Sequence, residues 1–246
     1  SDVDMSTIIS EYPFDFIAHN YCFPPEDPFV LNLASQDDQI RTRSIEYVCD
    51  AVEFCQHHGI DQYSFHAGFR TDPDLSLTFS QTDVPAYVDS LETFCESLEK
   101  ILDRVGGLDV NLAVENNVVE PQNVVNDEPL VLLCEPSEIV QLYDRLSVGG
   151  DRLGILLDTG HLRVSAATLG FDPDDFVFEA KDSVSSVHLH TNDGSEDEHC
   201  PVEPGDRELR SVGEVAEPTV TIESRFERTT ALREHQLWLR SALDTL

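Results

Sequence analysis

Residues that can bind a metal ion recur at the ends of short apolar segments. Six such segments end in an imidazole or a carboxylate: His19, His66, Glu115, Asp158, His190 and Glu223. Further donors follow two of these segments, at His161 in DTGH and at Asp197 and His199 in DEH. Histidine is scarce, at 9 of 246 residues, so its recurrence at these positions favours a shared metal site. Imidazole with carboxylate and no cysteine suits Zn²⁺, Mn²⁺ or Fe²⁺ better than Ca²⁺ or Mg²⁺.

The remaining histidines receive other interpretations. His188 and His190 are two residues apart in SVSSVHLH, so both side chains point to the same face of a strand. We expect His190, nearer the strand end, to bind metal, and His188 to lie one layer below as a hydrogen-bonded support. His57, His58 and His235 are expected at the surface, the first two near the negative end of a helix dipole.

Apolar periodicity predicts strands that alternate with helices. Strands are predicted at 15–19, 62–66, 109–115, 153–158, 183–190 and 219–224, with a weak strand between Arg207 and Val215. Helices are predicted at 38–58, 85–105, 136–146, 172–181 and 230–243, and DTGH is interpreted as part of a loop.

This alternation is typical of parallel β/α units. We predict one domain over 1–246. No G-x-G-x-x-G or P-loop follows a strand, which favours a (β/α)₈ barrel over a doubly wound sheet. In such a barrel the carboxyl ends of the strands converge on one mouth, and the ligands would meet there.

The composition is strongly acidic, with 48 Asp and Glu against 15 Lys and Arg. This balance either keeps nucleic acid and anionic membranes away or is a halophilic adaptation to a salty cytoplasm, where charges are screened. Because only Lys100 and Lys181 are lysines, we favour the second interpretation, so net charge says little about partners. Six scattered cysteines predict reduced thiols and a cytoplasmic location. No apolar run is long enough for a membrane-spanning helix.

Taken together, the motifs resemble the xylose-isomerase-like TIM barrels. The resemblance runs from about Phe14 to Glu223 and is carried by HNY, SFHAG, VEN, LLDTGH, HTNDG with DEHCPVEPG, and TIE. That superfamily holds sugar and sugar-phosphate isomerases and epimerases, and the endonuclease IV type of apurinic-site endonuclease (AP endonuclease family 2). The resemblance implies an α/β (β/α)₈ TIM barrel that lacks, or has truncated, its first β/α unit.

The resemblance also implies roles for individual residues. In the isomerase branch Glu115, Asp158, His190 and Glu223 would hold one metal ion, with Glu115 and Glu223 as the catalytic acid/base pair. The endonuclease branch holds three zinc ions with additional ligands, all of which are present here: His19, His66, His161, Asp197 and His199.

Substrate contacts are expected at Asn116, Asn192 and Arg225, with Arg225 or Arg70 gripping a phosphate. The loops after His19, after Glu115 and after the DEH motif depart from the endonuclease pattern. These departures weaken the implication of DNA repair.

Three functions stay open at this point. The favoured one is a metal-dependent isomerase or epimerase of a sugar or sugar phosphate, with one to three Zn²⁺ or Mn²⁺ ions. The second is a di- or trinuclear zinc phosphoesterase of the endonuclease IV type. The third is a metal- or sugar-binding barrel without catalysis. A small molecule is the expected partner, nucleic acid is less favoured, a membrane is not expected, and the oligomeric state is left open.

Overall fold

A computed structural model describes residues 5–146 and 152–245, and the chain forms two compact units. Unit 1 comprises Ser1–Val114 and Leu142–Gly154, and unit 2 comprises Glu115–Gln141 and Ile155–Leu246. Within the described ranges, no helix combines the length and the apolar character needed to cross a bilayer.

Unit 1 places three strands beside long helices. In chain order its elements are α1 Met5–Glu11, β1 Ala18–His19, α2 Asp38–His58, β2 Gln62–His66, α3 Tyr87–Val105 and β3 Asn111–Glu115, whose last residue opens unit 2. Strands β1 and β2 are parallel, with His19 in register with Ser64, and β3 follows β2 in the sheet order. The ends of β1 and β2 therefore carry His19 and His66 side by side.

The helices of unit 1 follow from capping and periodicity. The Asp37 carboxylate accepts hydrogen bonds from the first-turn amides of α2, and the helix ends at Gly59, whose φ of 68° is a left-handed conformation that glycine adopts without strain. On α3, Phe94 and Leu98 are among the buried residues spaced three or four apart. This apolar stripe packs against α2.

Unit 2 carries the second set of strands. The elements continue as a 3₁₀ turn Pro121–Asn123, β4 Val124–Val125, β5 Glu128–Pro129, α4 Pro136–Arg145, β6 Leu153–Asp158, α5 Thr159–Leu169, α6 Pro173–Ala180, β7 Val184–Leu189, α7 Arg207–Gly213, β8 Thr219–Ile222 and α8 Thr229–Leu243. All of these residues belong to unit 2 except the end of α4 from Leu142 and the first two residues of β6. Strands β6, β7 and β8 are parallel neighbours, with Asp158 in register with His188. Strands β4 and β5 form a short antiparallel pair.

Two sequence predictions in unit 2 are wrong. The weak strand predicted between Arg207 and Val215 is helix α7, whose buried Glu208, Leu209, Ser211 and Val212 recur at helical spacing. The segment after Asp158, interpreted as a loop, is helix α5. The other predicted helices and strands occur, with α2, β2 and β6 at the predicted bounds, but the strand predicted at 15–19 is limited to Ala18–His19.

Candidate metal centre

Four acidic and basic side chains of unit 2 form the compact centre of the site. Glu115 is the last residue of β3, Asp158 ends β6, His188 lies in β7 and Glu223 directly follows β8. One ligand atom from each lies within 4.8 Å of the others. Glu115, Asp158 and His188 are buried, while the side chain of Glu223 is 35% exposed. The set is therefore a buried cluster with one carboxylate at its open side.

His188 is central to this set of four. Its Nδ1 lies 2.8 Å from Glu223 Oε2, 3.3 Å from Glu115 Oε1 and 3.8 Å from Asp158 Oδ2. Sequence reasoning placed this histidine behind the ligands, whereas its imidazole nitrogen here lies among three carboxylates. Its residue type and depth match those of a metal-ligating imidazole.

His190 belongs to two adjacent donor groups. Its Nε2 lies 3.0 Å from Asp158 Oδ2, and Asp158, His161 and His190 form one three-residue group. The second group is His190, His199 and Glu223. The rings of His190 and His199 stack at 4.3 Å. His190 thus connects the set of four with the donors contributed by the following loop.

Helix α5 brings Asp158 and His161 together. Asp158 is the N-cap of this helix, and its Oδ1 accepts a 2.7 Å hydrogen bond from the His161 amide. Gly160 allows α5 to begin against the His190 imidazole, because a Cβ at position 160 would lie 2.0 Å from His190 Cε1. The Thr159 hydroxyl lies 2.7 Å from the His190 carbonyl oxygen, to which it donates.

The loop after β7 is folded back onto the site. Thr191 and Cys200 close it by an antiparallel pair of backbone hydrogen bonds of 2.9 and 2.8 Å. His199 has a φ of 54° and donates from Nδ1 to the Glu223 carbonyl at 2.9 Å. The Arg225 amide donates to the His199 carbonyl. These bonds tie the loop to the end of β8 and turn its polar side chains inward.

Because of this arrangement, the Asp197 carboxylate lies close to two imidazoles. Its Oδ2 lies 3.0 Å from His199 Nε2 and 3.5 Å from His161 Nε2. The Nδ1 atoms of both histidines hydrogen-bond to backbone carbonyls, of Glu223 and Asn116 respectively. An Nδ1–H bonded to a carbonyl orients the ring so that Nε2 can bind a metal, a pattern common among metal-ligating histidines.

The predicted substrate residues have varied environments. Asn116 Oδ1 accepts from the Asp158 amide at 2.8 Å and its Nδ2 donates to the Asp158 carbonyl at 3.0 Å. Asn192 Nδ2 donates to the Gly160 carbonyl at 2.9 Å. Both amides therefore brace the backbone under the candidate metal ligands. Arg225 is exposed. Arg70 is buried and donates to the Pro85 carbonyl, so that interaction orients its guanidinium.

His19 and His66 form a pair in unit 1. Their rings meet edge to face with centroids 5.3 Å apart. His19 Nδ1 lies 3.0 Å from the Ser64 hydroxyl oxygen, which fixes its ring. The structure thus brings these two predicted ligands together, and it brings the other seven together in unit 2.

The carboxylates of unit 2 stabilise positive charge on the neighbouring imidazoles. Burial opposes protonation of His188, but hydrogen bonds to Glu115 and Glu223 outweigh it and raise its pKa to about 10. Burial likewise opposes ionisation of Asp158, yet His161 and His190 hold its pKa below the usual range. The cluster is therefore stable when the histidines are protonated, or when a bound cation supplies the positive charge instead of those protons.

The donor chemistry fits a divalent ion. Asp197 Oδ1 and His190 Nδ1 are buried, lie 3.7 Å apart and make no hydrogen bond with any residue in the described ranges. Buried polar atoms of this kind are costly unless a partner compensates them. A metal ion is such a partner, and imidazole with carboxylate is a donor set typical of Zn²⁺ and Mn²⁺.

Comparison with known proteins identifies the family and the fold. The family model of the xylose isomerase-like TIM barrel matches residues 4–242, so the chain belongs to that family. The structure is similar to a D-tagatose 3-epimerase-like protein, with a TM-score of 0.71 and 20% identity over 98% of this chain and 81% of that one. It is also similar to an L-ribulose 3-epimerase, with a TM-score of 0.70 and 14% identity over 100% of this chain and 81% of that one.

Two further matches are a solved structure and a curated protein. A protein of Thermus thermophilus whose crystals were soaked with zinc chloride has a TM-score of 0.65 and 19% identity, over 94% of this chain and 80% of that one. A probable endonuclease 4 of Aquifex aeolicus (strain VF5) is 26% identical over 134 residues, which span 54% of this chain and 40% of that protein.

The comparisons bear on the predicted fold. The TIM-barrel-like α/β class is confirmed. Within the described residues, the main sheet has six strands, three in unit 1 and three in unit 2. A full (β/α)₈ barrel has eight strands.

Proposed function

We propose that the protein is a metal-dependent isomerase or epimerase that acts on a sugar or a sugar phosphate. The observation that carries the proposal is the set of four, in which Glu115 and Glu223 flank the same imidazole, His188, beside Asp158. Two glutamates at one divalent site can exchange a proton with a substrate carbon on either side. The names of two structural neighbours, a D-tagatose 3-epimerase-like protein and an L-ribulose 3-epimerase, support the same class.

We assign Glu115, Asp158, His188 and Glu223 to a single ion. The sequence predicted His190 as the histidine ligand. We assign this role to His188 instead because it lies closer to Glu223. His188 Nδ1 lies 2.8 Å from Glu223, whereas His190 Nε2 lies 4.0 Å from it. His190 then supports Asp158 by a hydrogen bond, which orients that carboxylate.

The bound ion would act as a Lewis acid that polarises a carbonyl and its neighbouring hydroxyl. One of the two glutamates removes the proton from the carbon between them, and the other returns a proton. Glu223 stands at the open side of the cluster and Glu115 at its buried side. Asn116 and Asp158 keep the strand ends in place, and Arg225 is available to bind a phosphate on the substrate.

Deuterium exchange tests this function. In heavy water, a ketose or ketose phosphate substrate should gain deuterium at the epimerised carbon. Glu223→Gln should slow that exchange by about 10²-fold or more, the usual contribution of a general base. Exposed Glu227 is four residues away in sequence, and Glu227→Gln is the matched control that should keep the wild-type rate. Exchange that persists in Glu223→Gln would remove Glu223 from the acid/base pair.

A zinc phosphoesterase is the second candidate. It is favoured by the additional donors His161, Asp197 and His199, whose ligand atoms lie 3.0 and 3.5 Å apart around Asp197, and by the similarity to a probable endonuclease 4. Additional ions held there would activate water and stabilise the attacking and leaving oxygens.

Metal counting separates the two candidates. Elemental analysis of protein saturated with Zn²⁺ should give one ion per chain for the isomerase. More than one ion, with a loss in His199→Ala, supports the phosphoesterase, which is then tested by nicking of a duplex with an abasic site at low and high salt. A chain that binds metal but shows neither exchange nor phosphoester cleavage would be a binding protein without catalysis.

A further inference from the structure

The thiols of Cys22 and Cys55 are neighbours in unit 1. Cys22 lies in the loop after β1 and is half-buried, whereas Cys55 is fully buried in α2. A hydrogen bond between their side chains is the largest influence on the pKa of each thiol. The other four cysteines, which all lie within the described part of the chain, have environments set by burial and charged groups, with no thiol neighbour of this kind.

The backbone on both sides of Cys22 is held against the same elements. The Phe23 ring contacts Phe54 at 5.7 Å and Tyr47 at 5.2 Å, and the Tyr47 hydroxyl donates to the Phe23 carbonyl at 2.6 Å. The Tyr63 hydroxyl donates to the Asn20 carbonyl at 2.8 Å. The residue after Cys22 thus packs on the residue before Cys55. These contacts hold the loop that carries Cys22 against the helix that carries Cys55, and they do not involve the thiols.

We propose that Cys22 and Cys55 form a reversible disulfide when the protein meets a peroxide. The Cys22 sulfur attacks one peroxide oxygen, the O–O bond breaks, and a sulfenic acid and one water result. The Cys55 sulfur then attacks the Cys22 sulfur, the S–O bond breaks, and the hydroxide leaves with the Cys55 proton as a second water. Two thiols are oxidised to one disulfide while one hydrogen peroxide is reduced to two waters.

The environments of the two thiols set the order in which they react. The hydrogen bond from Cys55 lowers the pKa of the Cys22 thiol despite its burial, and the same bond, together with burial, raises the pKa of Cys55. Only the half-buried Cys22 is reachable from solvent, so it meets the peroxide first. Cys55 then acts as the resolving thiol from within α2.

The bond would attach the loop after β1 to α2, three residues beyond His19. In the unfolded chain the same bond would close a loop from residue 22 to residue 55 and reduce its conformational entropy. The oxidised protein should therefore melt a few degrees higher than the reduced protein. This inference does not depend on the proposed function, because neither cysteine belongs to the metal centre.

The experiment treats the purified full chain with hydrogen peroxide, blocks free thiols, and analyses intact mass and peptides. The expected product has lost about 2 Da, carries a cross-link between the peptides of Cys22 and Cys55, and returns to the reduced mass with dithiothreitol. Cys22→Ser and Cys55→Ser should each abolish the cross-link. Cys49→Ser, in the same helix, and Cys200→Ser should retain it.

Folding of each variant is checked by circular dichroism, and the melting temperature of the oxidised wild type provides a second readout. In Cys55→Ser, Cys22 should accumulate as sulfenic or sulfinic acid, since its resolving partner is gone. The proposal is overturned if wild-type Cys22 proceeds to sulfinic acid without a cross-link, or if the cross-link joins other cysteines. It is also overturned if Cys200 is oxidised before the thiols of Cys22 and Cys55 are lost.

Discussion

The side chains of His188 and His190 lie on the same face of one strand but meet different donors. His188 Nδ1 approaches Glu115 and Glu223, whereas His190 Nε2 approaches Asp158 and its ring stacks on His199. The two imidazoles are nearly equivalent in the sequence. Which of them is the better candidate ligand therefore depends on the carboxylates that the neighbouring strands place beside each one.

Substituting each histidine separately tests this assignment. His188→Asn removes an imidazole that we place on the metal, so metal affinity should fall by well over about 100-fold. His190→Asn removes a support for Asp158 and should cost about 10- to 100-fold. Affinity is measured by competition with a chelator, with His57→Asn at the exposed end of α2 as the control. The reverse order of the two losses would return the ligand role to His190.

At the element scale, irregular backbone is held by single side chains. Glu138 is buried near the start of α4, and its carboxylate accepts backbone hydrogen bonds from Leu133, Cys134 and Glu135 at 2.6 to 2.7 Å. Asp158 similarly caps α5 while its carboxylate belongs to the candidate metal centre. Carboxylates that accept several amides fix a turn more firmly than neutral acceptors do.

Glu138→Gln should destabilise the protein because a neutral amide cannot accept all three bonds. We expect the free energy of unfolding to fall by about 1–3 kcal/mol, the cost of leaving a buried donor unsatisfied. Asp144→Asn, an exposed position on the same helix, should change it by less than about 0.5 kcal/mol. Urea denaturation followed by circular dichroism measures both. Equal losses in the two variants would show that the Glu138 carboxylate adds no special stability.

At the scale of the whole molecule, the formal net charge of −33 dominates. Among the described residues, several arginines pair with nearby acids, as Arg207 does with Asp172 and Asp174, but acids outnumber bases 48 to 15. The folded state therefore carries a repulsion that added salt can screen. Adaptation to high salt stays a prediction from this composition.

Raising KCl from 0.1 M to 1 M shortens the Debye length from about 10 Å to about 3 Å. We expect the melting temperature to rise over this range because repulsion among surface carboxylates weakens. Differential scanning fluorimetry measures the change, and sucrose at matched osmolality is the control for effects other than screening. A melting temperature that stays level or falls in KCl would contradict the interpretation of the acidic composition.

Local sequence determined most of the elements and the candidate ligands. Capping residues and apolar periodicity act over a few residues, so α2, β2 and β6 could be predicted with their bounds. The recurrence of His, Asp and Glu at strand ends selected Glu115, Asp158 and Glu223, which meet in unit 2, but it did not select His188 as a ligand. Helix α5 was missed although Asp158 at its N-cap and Gly170 at its end are visible signals, because DTGH was interpreted through its ligands alone.

Tertiary structure alone decided which donors face one another. The two-residue period of a strand places His188 and His190 on one face, but their distances to carboxylates depend on the register of β6, β7 and β8. The contribution of Asp197 and His199 depends on a loop closed by backbone bonds between Thr191 and Cys200. Such distances arise from packing between segments remote in the chain, which no local pattern encodes.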